Sequence, residues 1–353
     1  MEKSPNTSIK ALTGVRFWAA MMVVLFHLAG PGVANHRYLI NEIIIRGGMG
    51  VDLFFVLSGY IIHHVYGLTF SQSISQKLYL RFLSFRVARM YPVHVFTMGL
   101  MFILYFIALK VFHKTPPDIE SYQFTAIVNN LLMTHAWFNF GSPNIPAWSI
   151  SAEWFMYLLY PLCAMALFRL SLFCEYLMLV ICLIAVYFLV SLHPLLHIVP
   201  EFIFGATLYQ INSKLHFTKK LGGYTGLALI AAIGITLNLK IDSEAVYVLL
   251  FGFLILALTS ENDKIGHWLG LKYCMYLGEI SYSLYMIHSF VWSVIKNICR
   301  IGLPSIDIQG IPVVAMGIIA SVIAAALVYT VIEVPSRRFL RHLTDPKDVM
   351  AVS

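Results

Sequence analysis

Apolar residues in this chain fall in long runs, and about 17 to 25 such residues in a row are what a helix needs to cross a bilayer. Such runs lie at 12–30, 48–66, 91–112, 148–168, 172–192, 194–212, 221–239, 244–259, 273–299 and 310–334. An eleventh run, 124–140, is weaker, because Asn129, Asn130, Thr134 and His135 interrupt it. The pattern predicts an all-α integral membrane fold of about ten transmembrane helices plus a re-entrant or surface segment. Gly222-Gly223 and Pro116-Pro117 mark connections, the longer ones being 67–90 and 113–147, and no internal repeat stands out.

The basic residues decide whether 124–140 crosses, since cytoplasmic loops collect Lys and Arg. With the amino terminus cytoplasmic and 124–140 not crossing, the inner face receives 17 of the 24 Lys and Arg: Lys3, Lys10, Arg16, Lys77, Arg81, Arg86, Arg89, Arg169, Lys214, Lys219, Lys220, Lys264, Lys272, Arg337, Arg338, Arg341 and Lys347. The outer face keeps Arg37, Arg46, Lys110, Lys114, Lys240 and Arg300, and Lys296 lies within a span. If 124–140 crossed, Lys214, Lys219, Lys220 and the basic tail would move outside. The expected organisation is a cytoplasmic tail over 1–9, one membrane domain over 10–340 and a cytoplasmic tail over 341–353, in the inner (plasma) membrane.

Composition agrees with this pattern. The 353 residues are 59% apolar and 12% charged, against about 25% charged in a soluble domain. The net charge of +7 comes from basic residues dispersed between apolar runs, with no continuous stripe for nucleic acid. Cys163, Cys174, Cys182, Cys274 and Cys299 sit in apolar stretches without paired spacing and read as packing residues. A cleaved leader is not expected at the first run, which carries its own Arg and His and is followed by nine more spans.

Ionisable groups in the hydrocarbon region are costly, so each one points to chemistry. Arg16 and His27 are eleven residues apart, three helical turns plus about 20°, and so share a face with about 16 Å between them. Asp52 and Glu153 open spans that descend from outside and fall near the depth of His27. A neutral imidazole with a carboxylate in reach suits general base catalysis. The plainer readings are interhelical hydrogen bonding for His27, reception of helix N-terminal N–H groups for Asp52, and packing for His288. Glu201 and Lys296 are buried ionisable groups without an evident partner. In the inner stretch KLYLRFLSFRVARMY, Arg86 and Arg89 are neighbours on one helical face, which serves membrane anchoring or a phosphate group. No P-loop, GxGxxG, HExxH or Cys/His metal cluster appears, so nothing in the sequence supports nucleotide hydrolysis or metal catalysis.

Arg16 followed by His27, the block GGMGVDLFFVLSGYII from Gly47, Arg86-x-x-Arg89 before Tyr91-Pro92, WSISAEWFMYLLYP from Trp148, YLGEISYSLYMIH ending at His288, and the closing Glu333-Val334-Pro335-Ser336-Arg337-Arg338 together resemble the membrane acyltransferase-3 family. The resemblance covers about residues 10 to 340. It implies a ten-span core and transfer of an acyl group, usually acetyl from acetyl-CoA as co-substrate, to a hydroxyl of a cell-surface glycan or its lipid-linked precursor. The length corresponds to the short form without the family's fused esterase-like domain. On this resemblance Arg16, Arg86 and Arg89 receive the coenzyme phosphates, and His27 acts as general base or acyl carrier with Glu153 orienting it. Asp52, Trp148 and His288 shape the acceptor site. Acceptors other than glycans, such as a lipid or a macrolide, stay open. So does a transporter, or a binding protein without turnover, since either also places ionisable groups in a helical bundle.

Overall fold

The computed structural model describes residues 7–33, 41–113, 118–189, 192–303 and 305–344. Lys3, Arg37, Lys114, Pro116, Pro117 and Lys347, all used above, lie outside the described residues. The helices are α1 (Thr7–Val33), α2 (Asn41–Ile45), α3 (Gly50–Tyr66), α4 (Gln76–Lys110), α5 (Phe124–Leu131), α6 (Trp148–Leu167), α7 (Leu172–Leu189), α8 (Pro194–Leu215), α9 (Thr225–Asn238), α10 (Glu244–Leu258), α11 (Lys264–Leu269), α12 (Lys272–Gly302), α13 (Ile311–Val328) and α14 (Val334–Thr344). Among the described residues there is no strand. That suits a chain whose backbone must satisfy its own hydrogen bonds away from water.

Each of the ten strong runs holds a helix over most of its described residues. Among the described residues, six helical stretches are long and apolar enough to cross a membrane: Lys10–Gly30, Gly47–Tyr66, Gln76–Lys110, Ile145–Leu167, Leu172–Leu189 and Ile311–Leu343; α9 and α10 are apolar but shorter. The weak run 124–140 holds only the eight-residue α5 and a 3-10 turn, His135–Trp137. At 1.5 Å per residue α5 rises about 12 Å, too little to span. One expectation is corrected: the stretch 67–90 is not simply a connection, because α4 begins at Gln76 and runs unbroken for 35 residues. Arg81, Arg86 and Arg89 therefore ride on the same rigid helix as the span that follows them.

Contacts divide the chain into two units, Met1–Ser73 with Tyr160–Ser281, and Ile74–Leu159 with Tyr282–Ser353. In the first, α3 packs along α8, and α1, α7 and α10 complete the core around Leu53, Val56, Leu57, Phe204, Leu208, Phe251 and Ile255. Gly59 and Gly205 make the α3–α8 approach possible: a Cβ on Gly59 would strike the Phe202 carbonyl, and one on Gly205 the Val56 carbonyl. Asp52 of α3 meets His197 of α8 near their starts, and His63 meets Gln210 further along, so the two helices run parallel. Asp263 holds two helix starts at once, accepting from Gly266 N of α11 at 2.8 Å and from Gly226 N of α9 at 2.7 Å.

In the second unit, α14 lies against α4, with the Arg341 guanidinium 5.2 Å from the Phe85 ring. The helix that starts as α13 passes through a π-helical segment, Tyr329–Glu333, into α14. Such bulges turn a side chain out of the regular spacing and recur at functional sites. The 118–147 segment is tied to its unit by buried polar bonds. His94 Nε2 reaches the Asn130 carbonyl at 2.8 Å, and Asn144 Nδ2 donates to the Met286 carbonyl at 3.0 Å.

Candidate active site

Arg16 and His27 both lie on α1, which is unbroken between them, so the eleven-residue spacing holds them on one face. Both are half-buried, and the His27 ring meets the edge of Phe26. Glycines bring other backbones close to this helix on either side of Arg16 and toward His27. A Cβ on Gly278 of α12 would strike the Thr13 carbonyl, one on Gly50 of α3 the Ala19 carbonyl, and one on Gly47 the Met22 carbonyl. The glycines of the GGMGVDLFF and YLGEISYS blocks thus serve to bring backbones close to the helix that carries the candidate base.

The second unit gathers three of the sequence-chosen residues around one tyrosine. Tyr157, 3% exposed, donates to Glu153 Oε1 at 2.5 Å, and the Arg86 guanidinium lies 5.8 Å from its ring. Glu153, Arg86 and Arg89 all act electrostatically on the Tyr157 hydroxyl. Glu153 and Arg89 act on Tyr282 of α12 as well, together with Glu333. Tyr282 donates to the Met90 carbonyl at 2.6 Å, one residue beyond Arg89. Glu333, 1% exposed, accepts from Ser283 at 2.7 Å and pairs with Arg337 at 3.8 Å. The π-helical segment thus delivers its carboxylate to the helix that carries Tyr282.

Trp148 and His288 belong to the same unit. Trp148 is the first residue of α6 and half-buried. The next residue, Ser149, donates to Tyr285 at 2.9 Å, and Tyr285 donates to the Pro146 carbonyl at 3.1 Å. His288 is fully buried beside Tyr285, its Nδ1 3.2 Å from the Leu284 carbonyl. Sequence reading missed Tyr157, Tyr282, Tyr285 and Glu333 as site residues. All four stand inside motif blocks, but a tyrosine in an apolar run looks like packing until its hydroxyl's partner is known.

Asp52, expected at the depth of His27, has an ion-pair partner in its own unit, His197, at 3.1 Å. Glu201, for which the sequence showed no partner, pairs with the same ring at 2.8 Å. A separate pocket of about 650 Å³ opens at the C-terminal ends of α3 and α8, among Tyr60, His64, Tyr209, Asn212, His216 and Lys219, and none of the sequence-chosen residues lines it.

A model of the family described as an acyltransferase domain, Acyl_transf_3, matches residues 9–330. The chain belongs to the acyltransferase-3 family. The match takes in Arg16, His27, Asp52, Arg86, Arg89, Trp148, Glu153 and His288. Among curated proteins, Acyltransferase MdmB of Streptomyces mycarofaciens is 26% identical over 161 residues, which is 44% of this chain and 38% of MdmB. Protein 2 in the picA locus of Rhizobium radiobacter is 31% identical over 168 residues, 43% of this chain and 81% of that protein. The chain thus spans well under half of MdmB. No solved structure matches. Family membership and the apolar helices together identify a membrane protein of an acyltransferase family.

Proposed function

We propose that this acyltransferase-3 member is a ten-span enzyme of the inner (plasma) membrane with both termini cytoplasmic. It transfers an acyl group, acetyl first among them, from cytoplasmic acyl-CoA to a hydroxyl of a cell-surface glycan or its lipid-linked precursor. The observation that carries the reading is the Arg16 and His27 pair on one face of an unbroken apolar helix, within a chain whose family match covers nearly its whole length. Helix direction supports the topology. Parallel helices in a bilayer are separated by an odd number of crossings, and α4, α6 and α7 are three. A crossing at 124–140 would make four and turn α8 antiparallel to α3.

The chemistry assigned to these residues needs one proton acceptor and a cationic phosphate cradle. His27 Nε2 or Nδ1 takes the acceptor hydroxyl proton as the oxygen attacks the thioester carbonyl. The C–S bond breaks, and the imidazolium returns the proton to the departing thiolate. In the covalent variant the imidazole attacks first and carries the acyl group to the acceptor. Arg86 and Arg89 offer guanidinium forks suited to phosphates, with Arg16 a further cation on α1. Glu153, held by Tyr157, is the carboxylate assigned to balance charge during proton transfer. Asp52, Trp148 and His288 are the acceptor-side residues of this reading. Replacing His27 with Ala abolishes acetylation of the cell-surface acceptor, read by mass spectrometry of the glycan, while the protein remains in the membrane fraction. Retained acetylation in that variant overturns the assignment.

A further inference from the structure

Three helices of the first unit begin at a common point and bring four ionisable groups to it. Asp52 is the third residue of α3, His197 the fourth of α8 and Glu244 the first of α10, with Glu201 one turn after His197. His197 Nε2 lies 3.1 Å from Asp52 Oδ1, 2.8 Å from Glu201 Oε1 and 3.2 Å from Glu244 Oε2. Glu201 is fully buried, and its second oxygen, Oε2, has no hydrogen-bond partner. Asp52 is also an acceptor-side residue of the function proposed above, whereas His197, Glu201 and Glu244 have no part in it.

Three carboxylates face one imidazole, so with all three ionised even a protonated ring leaves two negative charges in a mostly buried place, where uncompensated charge is expensive. Arg46 pairs with Glu42 and Asp242, and Lys240 with Glu42. Among the described residues no Lys or Arg pairs with any of the four groups. A divalent cation removes two of the three negative charges, and three helix N-termini aimed at the same point offset the remainder.

We propose that Asp52, His197, Glu201 and Glu244 form a binding site for one divalent metal ion of the zinc type. The donor set of one imidazole nitrogen and carboxylate oxygens is one that zinc accepts in four-coordinate geometry. The ligand atoms of Asp52, His197 and Glu201 all lie within 4.8 Å of one another, close to the roughly 3.4 Å between ligand atoms around a tetrahedral ion with bonds near 2.1 Å, and Glu244 adjoins the same imidazole nitrogen at 3.2 Å. The Glu244 side chain is 37% exposed while those of Asp52, His197 and Glu201 are 13% or less, so Glu244 is the open side of the site. Bound there, the ion ties the starts of α3, α8 and α10 together. The sequence hides the site because its ligands come from three helices, His197 145 positions after Asp52 and Glu244 47 positions after His197, and match no metal motif.

The test uses the full-length protein in detergent, stripped with chelator, dialysed and titrated with zinc chloride, with bound metal counted by elemental mass spectrometry and thermal unfolding followed in parallel. One zinc per chain and a rise in unfolding temperature on loading are expected. Glu244→Gln, the most exposed ligand, is expected to keep its metal-free unfolding temperature and lose zinc affinity at least tenfold, and His197→Ala to retain no stoichiometric zinc. A folded wild-type chain that takes up well under one zinc overturns the proposal. So does zinc uptake that Glu244→Gln and Glu201→Gln both leave unchanged, because the ion is then bound elsewhere.

Discussion

Replacing Tyr157 with Phe removes one hydroxyl from the centre of the second unit and leaves the rest of the residue in place. The ring stays beneath the Arg86 guanidinium, 5.8 Å away, and edge-on to Phe82 at 6.0 Å. What is lost is the 2.5 Å hydrogen bond to Glu153. A hydrogen bond to a charged group is worth about 1.5 to 3 kcal/mol. If that bond holds Glu153 where charge develops in the transition state, kcat falls roughly 10- to 150-fold. The KM for acetyl-CoA should stay within about twofold, because the Arg86 stacking is retained. The assay is initial-rate release of CoA thiol from purified protein with acceptor, for wild type, Tyr157→Phe, Glu153→Gln and the double variant. Since the hydroxyl acts only through the carboxylate, the double variant should be no slower than Glu153→Gln alone. A Tyr157→Phe enzyme with unchanged kcat, or losses that multiply in the double variant, refutes the positioning of Glu153 by Tyr157.

Three further outcomes are expected. Arg86→Ala with Arg89→Ala should raise the acetyl-CoA KM at least tenfold or abolish binding in a titration, since each charge-assisted phosphate contact is worth a few kcal/mol; an unchanged titration rejects the phosphate role. Gly205→Ala should lower the unfolding temperature by an amount corresponding to about 1 to 3 kcal/mol of overpacking, because its Cβ would meet the Val56 carbonyl, whereas Gly234→Ala, where a Cβ meets nothing, should be neutral or stabilising by up to about 1 kcal/mol. His135, in the segment between α5 and α6 and 1% exposed, has its pKa pushed down to about 4 by burial and by the neighbouring His94. The unfolded chain therefore binds a proton that the folded one refuses, so stability present above about pH 6.5 is lost as pH falls toward 4, by about 3 kcal/mol in all. Unfolding followed across that window should lose this slope in His135→Gln.

The sequence made the helices legible because a bilayer-length apolar run has few other structures open to it. That 124–140 holds no membrane-length helix was legible too, through the four polar residues that interrupt it. The Arg16 and His27 spacing needed only helical geometry, and an unbroken α1 preserves it. What the sequence could not give was the partner of each buried polar group. Tyr157 and Glu153 are four apart and were within reach of a helical-face argument. Ser283 and Glu333 are fifty residues apart, and only packing of α12 against the π-helical segment joins them. Asp52 read as a residue at a helix start, which it is, while His197, 145 positions later, faces it only because α3 and α8 lie close along Gly59 and Gly205. The interruption of α13 by a π turn has no signature in an apolar run, so Glu333 appeared only as part of a closing motif.

The central claim is that the chain turns over acyl-CoA at His27. Purified protein given acetyl-CoA and a saccharide acceptor should release one CoA thiol for each acetyl group found on the acceptor, and His27→Ala should release none above background. Acetyl-CoA binding without release, or release that His27→Ala sustains, contradicts the account.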